Sequence, residues 1–247
     1  MNYIIIFLGV VLILVIFYYV YKSYLSDATK LDKLTNLNYS VPVLTVKDKP
    51  QNVNVSYGIW VYVNTWSTTS IKYIFYRTGD VYLYLDKSSA TLYCDVAINT
   101  PSGSSADYVA SSTVTGAPTG VQHITVTNNF PMQKWVYIIV SNDGKGFTDI
   151  YIDGKLVKSI RLAASRPTLP DNDVGVYVGN SSTGLGYYDA YITKFQRYTY
   201  TMDPQTAWNT YLSGNGMTGL SRMFSNYGVA VSLYKDNVET ASLSFNR

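Results

Sequence analysis

Glutamate is almost missing from this chain. Its 247 residues include 16 acidic side chains, and Glu239 is the one glutamate among them. A single cysteine, Cys94, excludes an intramolecular disulfide and any multi-cysteine zinc site. A single histidine, His123, excludes the His-rich metal centres. Charge is sparse too: 14% of residues are charged, and the net charge of +3 is too mild to imply a nucleic-acid partner. What is abundant is tyrosine, with 25 copies. Glutamate favours helices, whereas Tyr, Thr and Val favour strands, so composition points to an all-β chain. The length suits one β-rich domain of roughly 200 residues with an appendage, large enough to bury a core without staples.

Residues 3–21 carry no charge (YIIIFLGVVLILVIFYYVY). As a helix such a run spans about 28 Å, close to the ~30 Å hydrocarbon core of a bilayer. Tyr18, Tyr19 and Tyr21 at one end and Tyr3 at the other match the aromatic belts of a spanning helix. A cleaved signal peptide is the competing reading, since Ser26-Asp27-Ala28 loosely fits a small-x-small site. No Lys or Arg precedes the run, however, and it exceeds the usual apolar length. The expectation is a retained transmembrane anchor over residues 1–21, marked by Tyr3, Phe7, Leu12, Phe17, Tyr18 and Tyr21. Lys22, Lys30 and Lys33 follow it, so the positive-inside rule puts the main domain on the cytosolic side. The lone Cys94 agrees with a reducing compartment. The sequons at Asn38, Asn54 and Asn180 would then go unused.

Residues 22–52 read as a juxtamembrane spacer. Leu31, Leu34 and Leu37 recur every third residue and suggest a short helix ending before Pro42. From Val53 the period becomes two. Strand candidates are 57–63, 70–77, 80–86, 91–98, 123–127, 134–141, 149–152, 155–161, 175–179 and 187–198. Asp153-Gly154, between two apolar runs, is the strongest hairpin signal. A helix is expected only over 204–212, with Asp203 as its cap, Pro204 at the first position and Gly214 beyond its end. About ten short strands with tight turns make a two-sheet antiparallel jelly-roll sandwich.

Read in order, the motifs carry a resemblance. The strand YGIWVYV from Tyr57, the strand KWVYIIVS from Lys134, the hairpin DIYIDGKLV from Asp149, the stretch GYYDAYI from Gly186 and the element YTYTMDP from Tyr198 resemble the laminin-G/concanavalin A-like jelly roll. The match covers 53–212 and leaves 213–247 as a C-terminal arm. The wider arrangement is similar to structural proteins of large icosahedral double-stranded DNA viruses, which hold a lipid membrane inside the capsid. One amino-terminal anchor, a Glu-poor texture and residues 226–239 carry that likeness. It implies a minor capsid protein between internal membrane and shell, with the membrane and other capsid proteins as partners.

Catalysis is not expected. Glucanases of this fold need two carboxylates across the scissile bond. Glu239 lies far outside the jelly-roll match, and Asp149 and Asp153 read as turn residues. His123 has no nucleophile elbow beside it, Cys94 reads as a buried small hydrophobe, and the glycines at 214, 216 and 219 lack a Walker ending. The main reading is therefore a membrane-anchored structural connector. The alternative is a carbohydrate-binding, lectin-like domain, with Trp66, Asp171, Asp173, Tyr187 and Tyr188 at one rim. The resemblance admits sugar or Ca²⁺ there; no other cofactor is expected. In the arm, Val229, Val231 and Leu233 alternate, and Leu243 and Phe245 add a second apolar set. Those segments either rejoin the sandwich or add to a neighbour's sheet.

Overall fold

The computed structural model describes residues 9, 11–16, 18, 29–99, 108–109, 120–181, 183–215, 229–235 and 238–245. Period-two alternation is realised as strands throughout. In chain order these are β1 (Lys30–Leu31), β2 (Thr35–Asn36), β3 (Asn54–Val63), β4 (Lys72–Arg77), β5 (Val81–Leu85), β6 (Leu92–Ala97), β7 (Tyr108–Val109) and β8 (Val121–Thr127). There follow β9 (Trp135–Asp143), β10 (Phe147–Ile152), β11 (Lys155–Arg161), β12 (Tyr177–Val178) and β13 (Ala190–Tyr198). The helix α1 (Pro204–Leu212) and the hairpin strands β14 (Val229–Lys235) and β15 (Val238–Phe245) complete the order.

A seven-stranded sheet runs β1-β13-β3-β9-β10-β11, with β2 also on β13. A six-stranded sheet runs β12-β4-β5-β6-β8-β7. The two pack face to face, and alternate residues interdigitate between them. Ile59, Val61, Ile138 and Val140 from the first sheet meet Phe75, Leu83, Cys94 and Ile124 from the second in one buried cluster. The other face of the seven-stranded sheet is roofed by α1. Trp60, Tyr137, Ile139, Tyr151 and Ala207 form a second, smaller core there, and the Trp60 ring stacks on Tyr137 at 5.0 Å and on Tyr211 at 5.5 Å.

The expected turn chemistry is present. Asp153 and Gly154 have φ of 50° and 75°, as a two-residue hairpin turn requires. A Cβ on Gly154 would lie 2.9 Å from the Trp208 ring, so the turn doubles as the seat of α1. Asp203 caps α1 by accepting the Thr206 N–H at 2.9 Å.

Two sequence expectations are corrected. The Leu31–Leu37 repeat is no helix: its residues form β1 and β2, edge pieces on β13, and Leu37 is fully buried. A spacing of three serves two very short strands as well as one helical turn. The spacer therefore does not extend to residue 52. Val41 and Val46 join the core, and Arg197 donates to the carbonyls of Asp48 and Lys49. Leu156 is 48% exposed because β11 is an edge strand. Trp135 lies against Tyr62 (5.6 Å) and the second, smaller core, while Val136 and Ile138 of its strand take the positions between the sheets.

At the amino terminus, residues 11–16 are helical, and Leu12 and Leu14 are each 62% exposed. Tyr3, Phe7, Phe17 and Tyr21 lie outside the described residues. Among the described residues no helix is long and apolar enough to cross a membrane.

Candidate functional site

The outer face of the six-stranded sheet is built of tyrosine. In β5 the sequence alternates Val81, Leu83 and Leu85 into the core with Tyr82 and Tyr84 outward. In β6, Leu92, Cys94 and Val96 face the core, which leaves Tyr93 and Asp95 outward. In β4 a bulge between Tyr73 and Phe75 lets both Ile74 and Phe75 enter the core and turns Tyr73 and Tyr76 outward. On its other side β4 meets β12, which ends at Val178 opposite Phe75, and beyond that end side chains satisfy the Tyr73 backbone. Its N–H donates to Asn180 Oδ1 (3.0 Å), and its carbonyl accepts the Tyr188 hydroxyl (2.6 Å).

Strand register sets these residues in two rows. One runs Tyr177, Tyr76, Tyr82, Asp95, His123; the other runs Tyr73, Tyr84, Tyr93, Thr125. Ring contacts connect them: Tyr177–Tyr76 4.9 Å, Tyr73–Tyr76 5.2 Å, Tyr73–Tyr84 5.5 Å, Tyr84–Tyr93 5.6 Å and Tyr93–His123 4.6 Å. Tyr76 and Tyr82 are 5% and 4% exposed and form the floor, whereas Tyr73, Tyr84, Tyr93 and Tyr177 are half-buried and present ring surface to solvent. Asp95 sits among them. Its Oδ1 lies 2.6 Å from His123 Nδ1, and its Oδ2 accepts the Tyr84 hydroxyl at 3.1 Å. Burial, with the Asp95 charge second, raises the pKa of Tyr73 and Tyr84 above the ordinary phenol value. Neutral hydroxyls on flat rings can stack on an apolar face and hydrogen-bond at its edge.

The rim expected from the sequence does not assemble. Tyr188 is 3% exposed and belongs to the core, where its apolar ring outweighs its polar tip. Trp66 is half-buried under the Lys72 ammonium, 4.1 Å from the ring centre, at the start of β4. Asp171 lies at the other end of that strand, where its carbonyl accepts from Arg77 at 3.0 Å. Those ends are about 17 Å apart along a strand. Asp173 and Tyr187 are exposed but belong to different ends: Asp189, two residues from Tyr187, accepts from Thr65 beside Trp66 at 3.0 Å, whereas Asp173 lies in the turn after Asp171. Among the described residues no three His, Cys, Asp or Glu side chains converge on a metal position.

Several other titratable groups are committed to structure. Asp153 accepts the Tyr137 N–H at 2.9 Å within its turn. Asp80, fully buried, accepts from the Tyr57 hydroxyl and pairs with Arg166 and Arg77. Arg77 also donates to the carbonyls of Pro50, Pro170 and Val174, clamping two loops. Cys94 is buried, and burial pushes its thiol well above the usual range, so it is inert.

A protein-family model described as the concanavalin A-like lectin/glucanases superfamily matches residues 38–207. The chain belongs to that superfamily. Among curated proteins none matches it in sequence. Solved structures of botulinum neurotoxin domains share this concanavalin A-like fold. The serotype D ligand-binding domain in complex with N-acetylneuraminic acid matches with a TM-score of 0.53 and 11% identity, over 73% of this chain and 42% of that one. The DC binding domain in complex with rat synaptotagmin II gives 0.52 and 13%, over 75% and 46%. A type C toxin structure, whose cell entry is described as dependent on two ganglioside molecules, gives 0.50 and 14%, over 75% and 46%. This chain thus spans less than half the length of these neighbours, and the identities speak for the fold alone.

Most glycosidases use a pair of carboxylates flanking the scissile bond. Asp95 is the only carboxylate in the strands of the tyrosine sheet, and it is engaged by His123 and Tyr84. Sequence reasoning missed this face because each tyrosine, taken singly, reads as ordinary strand composition. The signal was there in Tyr82-Leu83-Tyr84 and Tyr93-Cys94-Asp95, where polar-tipped aromatics alternate with core residues.

Proposed function

We propose that this chain is a non-catalytic, lectin-like glycan-binding protein, held to a membrane by its amino-terminal apolar run. The observation that carries the proposal is the continuous row of half-buried tyrosines with one hydrogen-bonded carboxylate among them. Successive pyranose rings of an oligosaccharide stack by their C–H faces on Tyr73, Tyr84, Tyr93 and Tyr177, which lie on four adjacent strands, and Asp95 with His123 takes hydroxyls of the ring nearest them. The superfamily match and the ganglioside and N-acetylneuraminic acid ligands of the fold neighbours support this reading over a capsid connector, which rests on sequence texture. The exposed apolar helix at 11–16 supports the anchor.

A lectin meets its glycans on the non-cytosolic side, whereas the lysine flank favours the cytosolic one. Protease protection in sealed vesicles decides the side: a cleaved domain in inside-out vesicles places it in the cytosol and removes the lectin role.

The binding test is a glycan panel applied to the full chain in nanodiscs. Tyr84→Ala should weaken the selected glycan by about tenfold, equivalent to ~1.4 kcal/mol, with the fold intact. Unchanged binding in that variant would mean the glycan sits elsewhere.

A further inference from the structure

Three of the four sheet ends are closed by two-residue strands: β1 with β2, β12, and β7. The fourth end is β11, seven residues long, exposed at six of them and half-buried at Ile160. A long edge strand offers a row of unpaired N–H and C=O groups, a template for another strand. Leu156 and Val157 are exposed on it, 48% and 43%. It also carries Lys155, Lys158 and Arg161 and no acidic residue.

Those charges select the occupant. Two β11 edges cannot pair with each other in full antiparallel register. Lys158 would face Lys158, and Lys155 would face Arg161, and like charges directly opposed are destabilising. The strand that fits is uncharged or acidic and of similar length. β15 meets both conditions: it has eight residues, no Lys or Arg, and the only glutamate of the chain. It pairs with β14 on one side, and among the described strands neither is bonded to the two main sheets. A free two-stranded hairpin is marginal in water and gains from a third strand.

We infer that β11 is a strand-addition site and that its occupant is β15 of a second copy of this chain, joined antiparallel. Of the two registers that cover all of β11, the one with Phe245 opposite Lys155 puts Glu239 opposite Arg161. The site lies on the sheet opposite the tyrosine face, so it stands or falls apart from glycan binding.

The test is sedimentation of the full chain in nanodiscs or detergent over a concentration series. The wild type should self-associate. Arg161→Glu alone and Glu239→Lys alone should each weaken association about tenfold, and the combined R161E/E239K chain should recover it. The double exchange separates a specific contact from misfolding. Association untouched by either reversal overturns the inference. A chain that stays monomeric also overturns it, and hydrogen exchange then says why. Protected β11 amides would mean that its own hairpin occupies the edge, and unprotected ones that nothing does.

Discussion

Asp80 shows how much a single buried carboxylate organises. Its partners, Tyr57, Arg77 and Arg166, are contributed by three different segments, and Arg166 is 86 positions away in the chain. No local pattern reveals that meeting, which is why in the sequence Asp80 stands only at the start of a strand candidate. Replacing it by Asn should leave Arg77 and Arg166 uncompensated in the interior and cost about 3–5 kcal/mol in denaturant unfolding. Burial pushes the Asp80 carboxyl up, but Arg166, the Tyr57 hydroxyl and Arg77 together hold it below its ordinary 3.8. A depressed folded pKa means that its stabilisation is present above pH ~3.8 and is lost as the pH falls through the folded value. The tyrosines act with the opposite sign. Burial raises Tyr57, Tyr84, Tyr137 and Tyr188 above their ordinary 10.0, so they stay neutral in the folded chain. Their contribution is complete below pH ~10 and is lost as the pH rises beyond it. Denaturant midpoints across pH should show a plateau with both flanks falling. Tyrosinate absorbance from these rings should appear together with unfolding; its appearance in the folded chain would contradict the burial argument.

Elements differ in how openly the sequence declares them. The long strands were legible because alternation, turn chemistry and length agreed: β3, β9, β10 and β11 fall close to their expected bounds, and α1 begins and ends where its cap and proline place it. β1 and β2 were not legible, since two residues carry no period and their register comes from β13. The β4 bulge was equally hidden, yet it decides which tyrosines reach the outer face. At this scale Gly154→Ala is the sharpest test. The φ of 75° disfavours any Cβ, and the added atom would crowd Trp208 and Tyr211. The cost should be about 1–3 kcal/mol, read as a lower melting temperature with α1 loosened. Asp203→Ala, which removes the cap alone, should cost ~1 kcal/mol. If Gly154→Ala proved no worse than the cap variant, the seating of α1 on the turn would be a minor contact.

The whole molecule is an asymmetric sandwich. One outer face is closed by α1 over Trp60 and Tyr137, and the other carries the tyrosine rows with Asp95 and His123. The superfamily was legible in the hairpin and strand motifs, but the rim inferred from it was not. Loop residues such as Trp66 and Asp171 look adjacent only until β4 separates them. Anchoring belongs to this scale as well. Leu12→Arg should weaken membrane insertion by about 2.5–3.5 kcal/mol, measured as carbonate-extractable protein. Glycan binding on the tyrosine face is measured by titrating a tyrosine-labelled full chain with the best glycan of the panel and following the ring resonances. Signals of Tyr73, Tyr84, Tyr93 and Tyr177 should move together with one dissociation constant, while those of Tyr57 and Tyr188 stay fixed. Shifts confined to Tyr187 and the loops, with the tyrosine face silent, would contradict it.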